Sequence, residues 1–147
     1  MFLRIIFSFL VLLLFSSCSK DDVIKKNEKK INHYVLYKKG VEAFERNDYF
    51  FANKKFLEAE LNFEIVELAA KSSIMASFSL YGINFYGEAE ENLKRYLKTY
   101  PSDKNVIYAE YLMAIIYFEQ ISDEKKDLEP LLKTEKQINY FINKYPN

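Results

Sequence analysis

The sequence predicts an all-α fold, a solenoid of about three helical hairpins, and three observations carry that prediction. Beyond residue 30, apolar residues recur at three- and four-residue steps, the spacing of a single helix face. Three Gly and three Pro in 147 residues are too few for a turn-rich β-sandwich. A phrase of small and aromatic residues also recurs along the chain, as stacked repeats require. Composition narrows the chemistry as well. Lys plus Arg and Asp plus Glu both number 21, so no basic field invites nucleic acid. One Cys and one His, His33, rule out a cysteine-cluster zinc site and leave little for a histidine metal site or a catalytic dyad. Twelve Tyr and thirteen Phe without Trp make the chain aromatic-packed, and the sequence shows no Gly-rich phosphate loop, Cys/His ligand spacing or Ser nucleophile elbow.

The first element is residues 1–17. In MFLRIIFSFLVLLLFSSC, Arg4 is the only charge before Lys20, and Ile5 to Phe15 is apolar except for Ser8. That run falls short of the roughly 20 residues that span a hydrocarbon core. A basic start, a short apolar stretch and the small residues Ser16 and Ser17 describe an export signal. With Cys18 next, the segment resembles a bacterial lipoprotein signal, which implies diacylglycerol on the Cys18 thiol and a further acyl chain on its freed amine. Several chains anchor stably because each buried methylene contributes about 0.8 kcal/mol. Phe15 stands where such signals usually carry Leu. Ser19 follows the Cys where Asp would favour the inner membrane, so the resemblance points to the outer membrane, facing the periplasm. The competing reading of Cys18 is a stray thiol closing an uncleaved anchor helix. Residues 18–30, rich in Lys but diluted by Asp21, Asp22 and Glu28, read as a flexible tether.

Residues 31–147 hold the repeats. Asn47-Asp48-Tyr49-x-x-Ala52-x-x-x-Phe56-x-x-Ala59 is echoed by Asn84-Phe85-Tyr86-x-x-Ala89-x-x-x-Leu93-x-x-Tyr96, which runs to Tyr100-Pro101. A third unit closes with Ile138-x-x-Phe141 and Tyr145-Pro146. These units, near 33–66, 70–103 and 107–147, resemble tetratricopeptide (TPR) repeats, each a pair of antiparallel helices. Leu36, Gly40, Ala43, Ala52, Phe56 and Ala59 fill the signature positions of the first unit, although Glu64 replaces its closing Pro. Ala76, Leu80, Ala89, Leu93 and Pro101 fill those of the second. Met113, Ala114 and Tyr117 match the third, before an insertion over Ile121 to Glu129 and a helix opened by Pro130. Helices are expected near 31–46, 49–66, 69–83, 86–99, 104–121 and 130–144. Asn47-Asp48, Ser102-Asp103 and Ser122-Asp123 supply caps and turns, and Pro101 and Pro146 stop helices.

In such a stack, binding belongs to the inner groove built by each unit's first helix. Carrying the repeat's geometry over gives Tyr34, Tyr37, Val41 and Phe44, then Ile74, Phe78 and Tyr81, then Tyr108, Tyr111, Ile115 and Phe118. Such rings suit an extended apolar-aromatic peptide, because Tyr joins large contact area to a polar tip. The competing reading packs several of them between repeats as ordinary core. Glu88, Glu90 and Glu91 are expected to face water, and His33 to be a capping or surface residue.

A lipoprotein signal followed by TPR-like units with Tyr-Pro endings resembles the BamD family of the outer-membrane β-barrel assembly (BAM) machinery. The resemblance is clearest over Leu36 to Phe56 and over Leu93 to Asp123. It implies a non-catalytic, lipid-anchored scaffold that binds unfolded outer-membrane β-barrel precursors, whose signal strands end in an aromatic residue. It also implies docking to BamA and other BAM subunits. Family members are usually longer, with about five repeats, so the chain reads as a fragment or a short relative. Two rivals differ in class. Periplasmic TPR proteins of cell division and the Tol–Pal system share the Tyr-Pro endings but generally lack a lipid anchor. A cell-wall hydrolase on a TPR-like scaffold would need a buried carboxylate in a cleft.

Overall fold

A computed structural model describes residues 32–121 and 127–146, all within one unit, Ile31–Asn147. The expected signal, Cys18, the tether and Ser122-Asp123 lie outside the described residues. Six helices run among the described residues: α1 (His33–Glu45), α2 (Tyr49–Asn62), α3 (Val66–Gly82), α4 (Tyr86–Thr99), α5 (Val106–Glu119) and α6 (Glu129–Lys144). The described residues hold no strand, so the all-α hairpin stack stands.

The repeat is visible in the turns. After α1, Asn47 takes the left-handed conformation at φ 60°, and Asp48 N–H donates to the Ala43 carbonyl at 2.9 Å. Thirty-seven residues on, Asn84 repeats φ 60°, and Phe85 N–H donates to the Leu80 carbonyl at 3.0 Å. Asparagine accepts this conformation at lower cost than other side-chain-bearing residues. Each turn is latched by a tyrosine hydroxyl donating to the asparagine Oδ1, Tyr49 to Asn47 at 2.8 Å and Tyr86 to Asn84 at 3.0 Å. The Tyr-Pro stops also repeat: Tyr100 lies at φ −124°, ψ 54° and Tyr145 at φ −125°, ψ 65°, each just past a helix end.

The first unit ends differently from the sequence expectation. Without a Pro, α2 was open to running on to residue 66. It stops at Asn62, where Phe63 turns extended (φ −77°, ψ 126°), and α3 starts at Val66 rather than near 69. Phe63 is held by rings from α1, 4.7 Å from His33 and 5.3 Å from Tyr34. Packing therefore breaks the helix where the local sequence does not. His33 is accordingly not the cap; Asn32 caps α1, its Oδ1 accepting from Tyr34 N–H at 3.0 Å.

Small residues set the helix spacing. A Cβ on Gly40 would lie 2.8 Å from the Phe56 ring, so α1 and α2 approach as they do only because Gly stands there. Ala43, Ala52, Phe56 and Ala76 form the core joining α1, α2 and α3. Ala70, Ile74, Ala89, Leu93, Tyr96, Ala109, Leu112 and Ile116 form the core joining α3, α4 and α5. Phe56, Leu93 and Tyr96 are fully buried. Deleting one such large side chain costs about 3–5 kcal/mol for Phe and about 2–5 kcal/mol for Leu.

Candidate functional site

The first helices of the three hairpins carry a continuous row of rings. Phe44 on α1 stacks on Phe78 of α3 at 5.6 Å, and Phe78 meets Tyr108 of α5 at 6.3 Å. Tyr81 extends the row at 5.9 Å from Phe78. A cavity of about 470 Å³ opens along it, lined by Phe44, Ile74, Met75, Phe78, Tyr108, Asn105 and two lysines, Lys71 and Lys104. A second cavity of about 600 Å³ shares Lys71, Lys104 and Asn105 and continues past Val66, Leu68 and Pro101. Offset or tilted rings at these separations leave faces and edges free for further aromatic contact.

The eight ring residues expected to line one groove fall into three places. Phe44, Phe78, Tyr81 and Tyr108 make the row just described. Tyr34 and Tyr37 gather with Phe63 at the α1 end of the stack, at 5.3 and 6.3 Å. Tyr111 and Phe118 line a separate apolar cleft of about 300 Å³ between α5 and α6, with Ile115, Ile138 and Phe141. None of the eight is sealed in the core; Tyr108 is 42% exposed and Phe118 62%, and Tyr37, Phe44, Phe78 and Tyr81 are half-buried. Ile74 is the exception in the longer groove list, being buried. Burial pushes the hydroxyls of Tyr81 and Tyr108 above their ordinary range, so both stay neutral donors at physiological pH.

Three glutamates missed as structural residues lie buried at helix crossings. Glu60 of α2 takes a two-pronged grip from Arg95 of α4, at 2.6 and 2.7 Å, and a hydrogen bond from Tyr100 at 2.9 Å. The same Arg95 donates to Ser73 of α3 at 3.0 Å. Glu90 corrects the sequence expectation: Glu88 and Glu91 face water, but Glu90 is buried. It accepts from Tyr117 of α5 at 3.0 Å and from Lys94. Burial pushes its carboxyl up, yet these hydrogen bonds outweigh that and hold it below the usual 4.5. Glu110 of α5 accepts from Lys144 of α6 at 2.7 Å. Its other oxygen is buried without a partner. These carboxylates tie neighbouring helices together. The signal that could have found them is their position on apolar helix faces: Glu110 occupies the column of Leu36 and Ser73. Charge patterning alone reads as solvated surface, which is why it missed them.

No group of three or more His, Cys, Asp or Glu suited to a metal ion occurs among the described residues. No helix among them is long and apolar enough to cross a membrane.

Stacked helical hairpins with a ring-lined cleft along their first helices define the class: a TPR-like repeat protein. The chain belongs to the family YfiO, outer membrane lipoprotein, whose model matches residues 29–147. It is similar to the outer membrane protein assembly factor BamD of Caulobacter vibrioides, 31% identical over 113 residues, covering 77% of this chain and 37% of that protein. It is also similar to the outer membrane protein assembly factor BamD of Rickettsia prowazekii, 26% identical over 127 residues, covering 83% of this chain and 51% of that protein. The BamD family membership expected from the sequence therefore holds. The chain spans about half or less of the length of these curated relatives.

Proposed function

We propose that this chain is the precursor-binding part of a non-catalytic outer-membrane assembly factor, held to the periplasmic side of the outer membrane by lipid on Cys18. It grips unfolded β-barrel precursors in the cleft of Phe44, Phe78 and Tyr108 and works with BamA and other BAM subunits. The observation that carries this reading is the ring row itself, partly exposed and continuous over three hairpins. The names of the relatives, outer membrane protein assembly factors, support the same role. An extended strand offers side chains on alternate faces, so one face of a precursor signal can lay its aromatic residues on the row while its backbone stays free to pair elsewhere.

The test is capture of outer-membrane proteins by the chain, with Phe78→Ala plus Tyr108→Ala as the disabling pair. Barrel precursors and BamA should be recovered, and precursor capture should drop by about tenfold in the double variant, as loss of two interface rings predicts. Undiminished capture by a folded double variant would overturn the site, and recovery of division or Tol proteins alone would overturn the role. Cys18→Ala should release the protein from the membrane; retention would make the N-terminal segment itself the anchor.

A further inference from the structure

Position Lys71 interrupts a column of tyrosines. Tyr34, Lys71 and Tyr108 stand at the same point of successive repeats, so the second hairpin places a cation where its neighbours place a ring. Lys104, in the turn between α4 and α5, reaches the same cavity. Its lining contains two ammonium groups and no carboxylate. Neither lysine takes part in the ion pairs found among the described residues, which engage Lys38, Lys55, Lys94, Arg95, Lys133 and Lys144. Lys71 instead lies 5.4 Å over the Tyr37 ring. Nearby Asp103 has its hydrogen bonds elsewhere, accepting from Tyr96 and from Asn105 N–H and Nδ2 at 2.9 Å, and feels Lys104 only through its charge.

Two cations at the edge of an aromatic cleft, in no ion pair among the described residues, complement one kind of ligand group. We propose that Lys71 and Lys104 select an acidic side chain, Asp or Glu, standing within a residue or two of an aromatic residue in an extended polypeptide. The inference rests on the polypeptide-binding reading above and adds its charge preference. Two features of the geometry assign the carboxylate to a side chain within the peptide rather than to a chain end. The lysines are shared by the linings of both cavities, where the two meet. The larger cavity beyond them, past Val66, Leu68 and Pro101, gives the chain somewhere to continue; it carries the carboxylates Glu67 and Asp103, so the acidic side chain belongs on the Phe78 side of the lysines. In an extended strand, residues two apart point to one face about 6.5–7 Å from each other. The ring then rests against Phe78 and Tyr108 while the neighbouring acid lies between the ammonium groups. Carboxylate–ammonium pairs of this kind are strengthened where rings exclude water, and weakened by salt where solvent reaches them.

The experiment measures binding of the full chain to ten-residue fluorescent peptides, all acetylated and the first two C-terminally amidated, in a Ser/Gly background. One carries Tyr-Ser-Glu and a second Tyr-Ser-Gln. A third lacks acid but ends in Phe with a free carboxylate. The Glu peptide should bind about fivefold to tenfold tighter than the Gln peptide at low salt, with the gap closing at high salt. In Lys71→Met plus Lys104→Met, checked for helicity, the two peptides should bind alike. Equal binding of both by the unaltered chain would overturn the proposal. So would tighter binding of the free-ended Phe peptide, which would give the lysines to a chain terminus. Phe78→Ala separates the readings: if it weakens all three peptides while the lysine variant changes none, the cleft stands and the charge preference falls. If no variant affects any peptide, the cleft itself falls.

Discussion

Ile74 and Tyr111 stand at the same point of the second and third hairpins, yet Ile74 is 5% exposed and Tyr111 51%. Ile74 shares a core with Ala109, Leu112 and Met113 of the next hairpin's first helix. Among the described residues, Tyr111 pairs its ring only with Phe141 of its own hairpin, at 6.2 Å. The second helices show the same difference. α2 and α4 each bury four residues, whereas α6 buries only Thr134. In this architecture a hairpin does not bury its own apolar face; the following hairpin does, so stability rises with the neighbours each unit has.

The largest expected effect tests that gradient directly. Leu93→Ala, in the middle of the stack, should cost about 2–5 kcal/mol in denaturant unfolding. Ile138→Ala, in the open α5–α6 cleft, should cost under about 1 kcal/mol, since much of its side chain remains in water. Equal losses would end the comparison.

Next comes the charged tie between the first two hairpins. Arg95→Ala strands the Glu60 carboxylate, which is buried and keeps only Tyr100 as a hydrogen-bond donor among the described residues. A loss of about 2–3 kcal/mol is expected, below the full cost of a deep pair because Arg95 is itself 43% exposed. Glu129→Ala, which breaks the exposed Lys133–Glu129 pair of α6, should change stability by no more than about 0.5 kcal/mol.

Acid sharpens the same contrast. The carboxyls of Glu90 and Asp103 are held below their ordinary values of 4.5 and 3.8, in both cases by hydrogen bonds that outweigh burial. A depressed folded-state value gives stability that is whole above the unfolded value and lost as pH falls through the folded one. Unfolding free energy should therefore fall on acidification below about pH 4.5, and Glu90→Gln should flatten that fall. A profile unchanged by the substitution would remove Glu90 from the account.

Two glycines should move stability in opposite directions. Gly40→Ala drives a methyl into the Phe56 ring and should destabilise by about 1–2 kcal/mol. Gly87→Ala, in the first turn of α4 with nothing within 4 Å, should stabilise by about 0.5–1 kcal/mol. Thermal midpoints of the two variants moving in the same direction would show that the α1–α2 approach is looser than the geometry implies.

Much of this molecule was legible in its residues. The α4 helix falls on the expected 86–99, the Tyr-Pro stops and the Asn47-Asp48 turn fall where their chemistry puts them, and Pro130 sits in the first turn of α6. These features depend on neighbours a few residues away, and backbone preference acts at that range. The break at Phe63 was not legible, because it is held by His33 and Tyr34 from the preceding helix. Nor was the burial of Glu60, Glu90 and Glu110, each of which takes at least one partner from another helix.

By itself, then, the sequence determined the helices, their repeat, and the supply of rings on the first helix of each unit. Only the tertiary structure decided how those rings divide, with Phe44, Phe78 and Tyr108 joined in one cleft and Tyr111 and Phe118 placed in another. Helical periodicity tells which face a residue occupies, but exposure depends on whether a further helix lies on that face. That is a property of the stack, not of the residue.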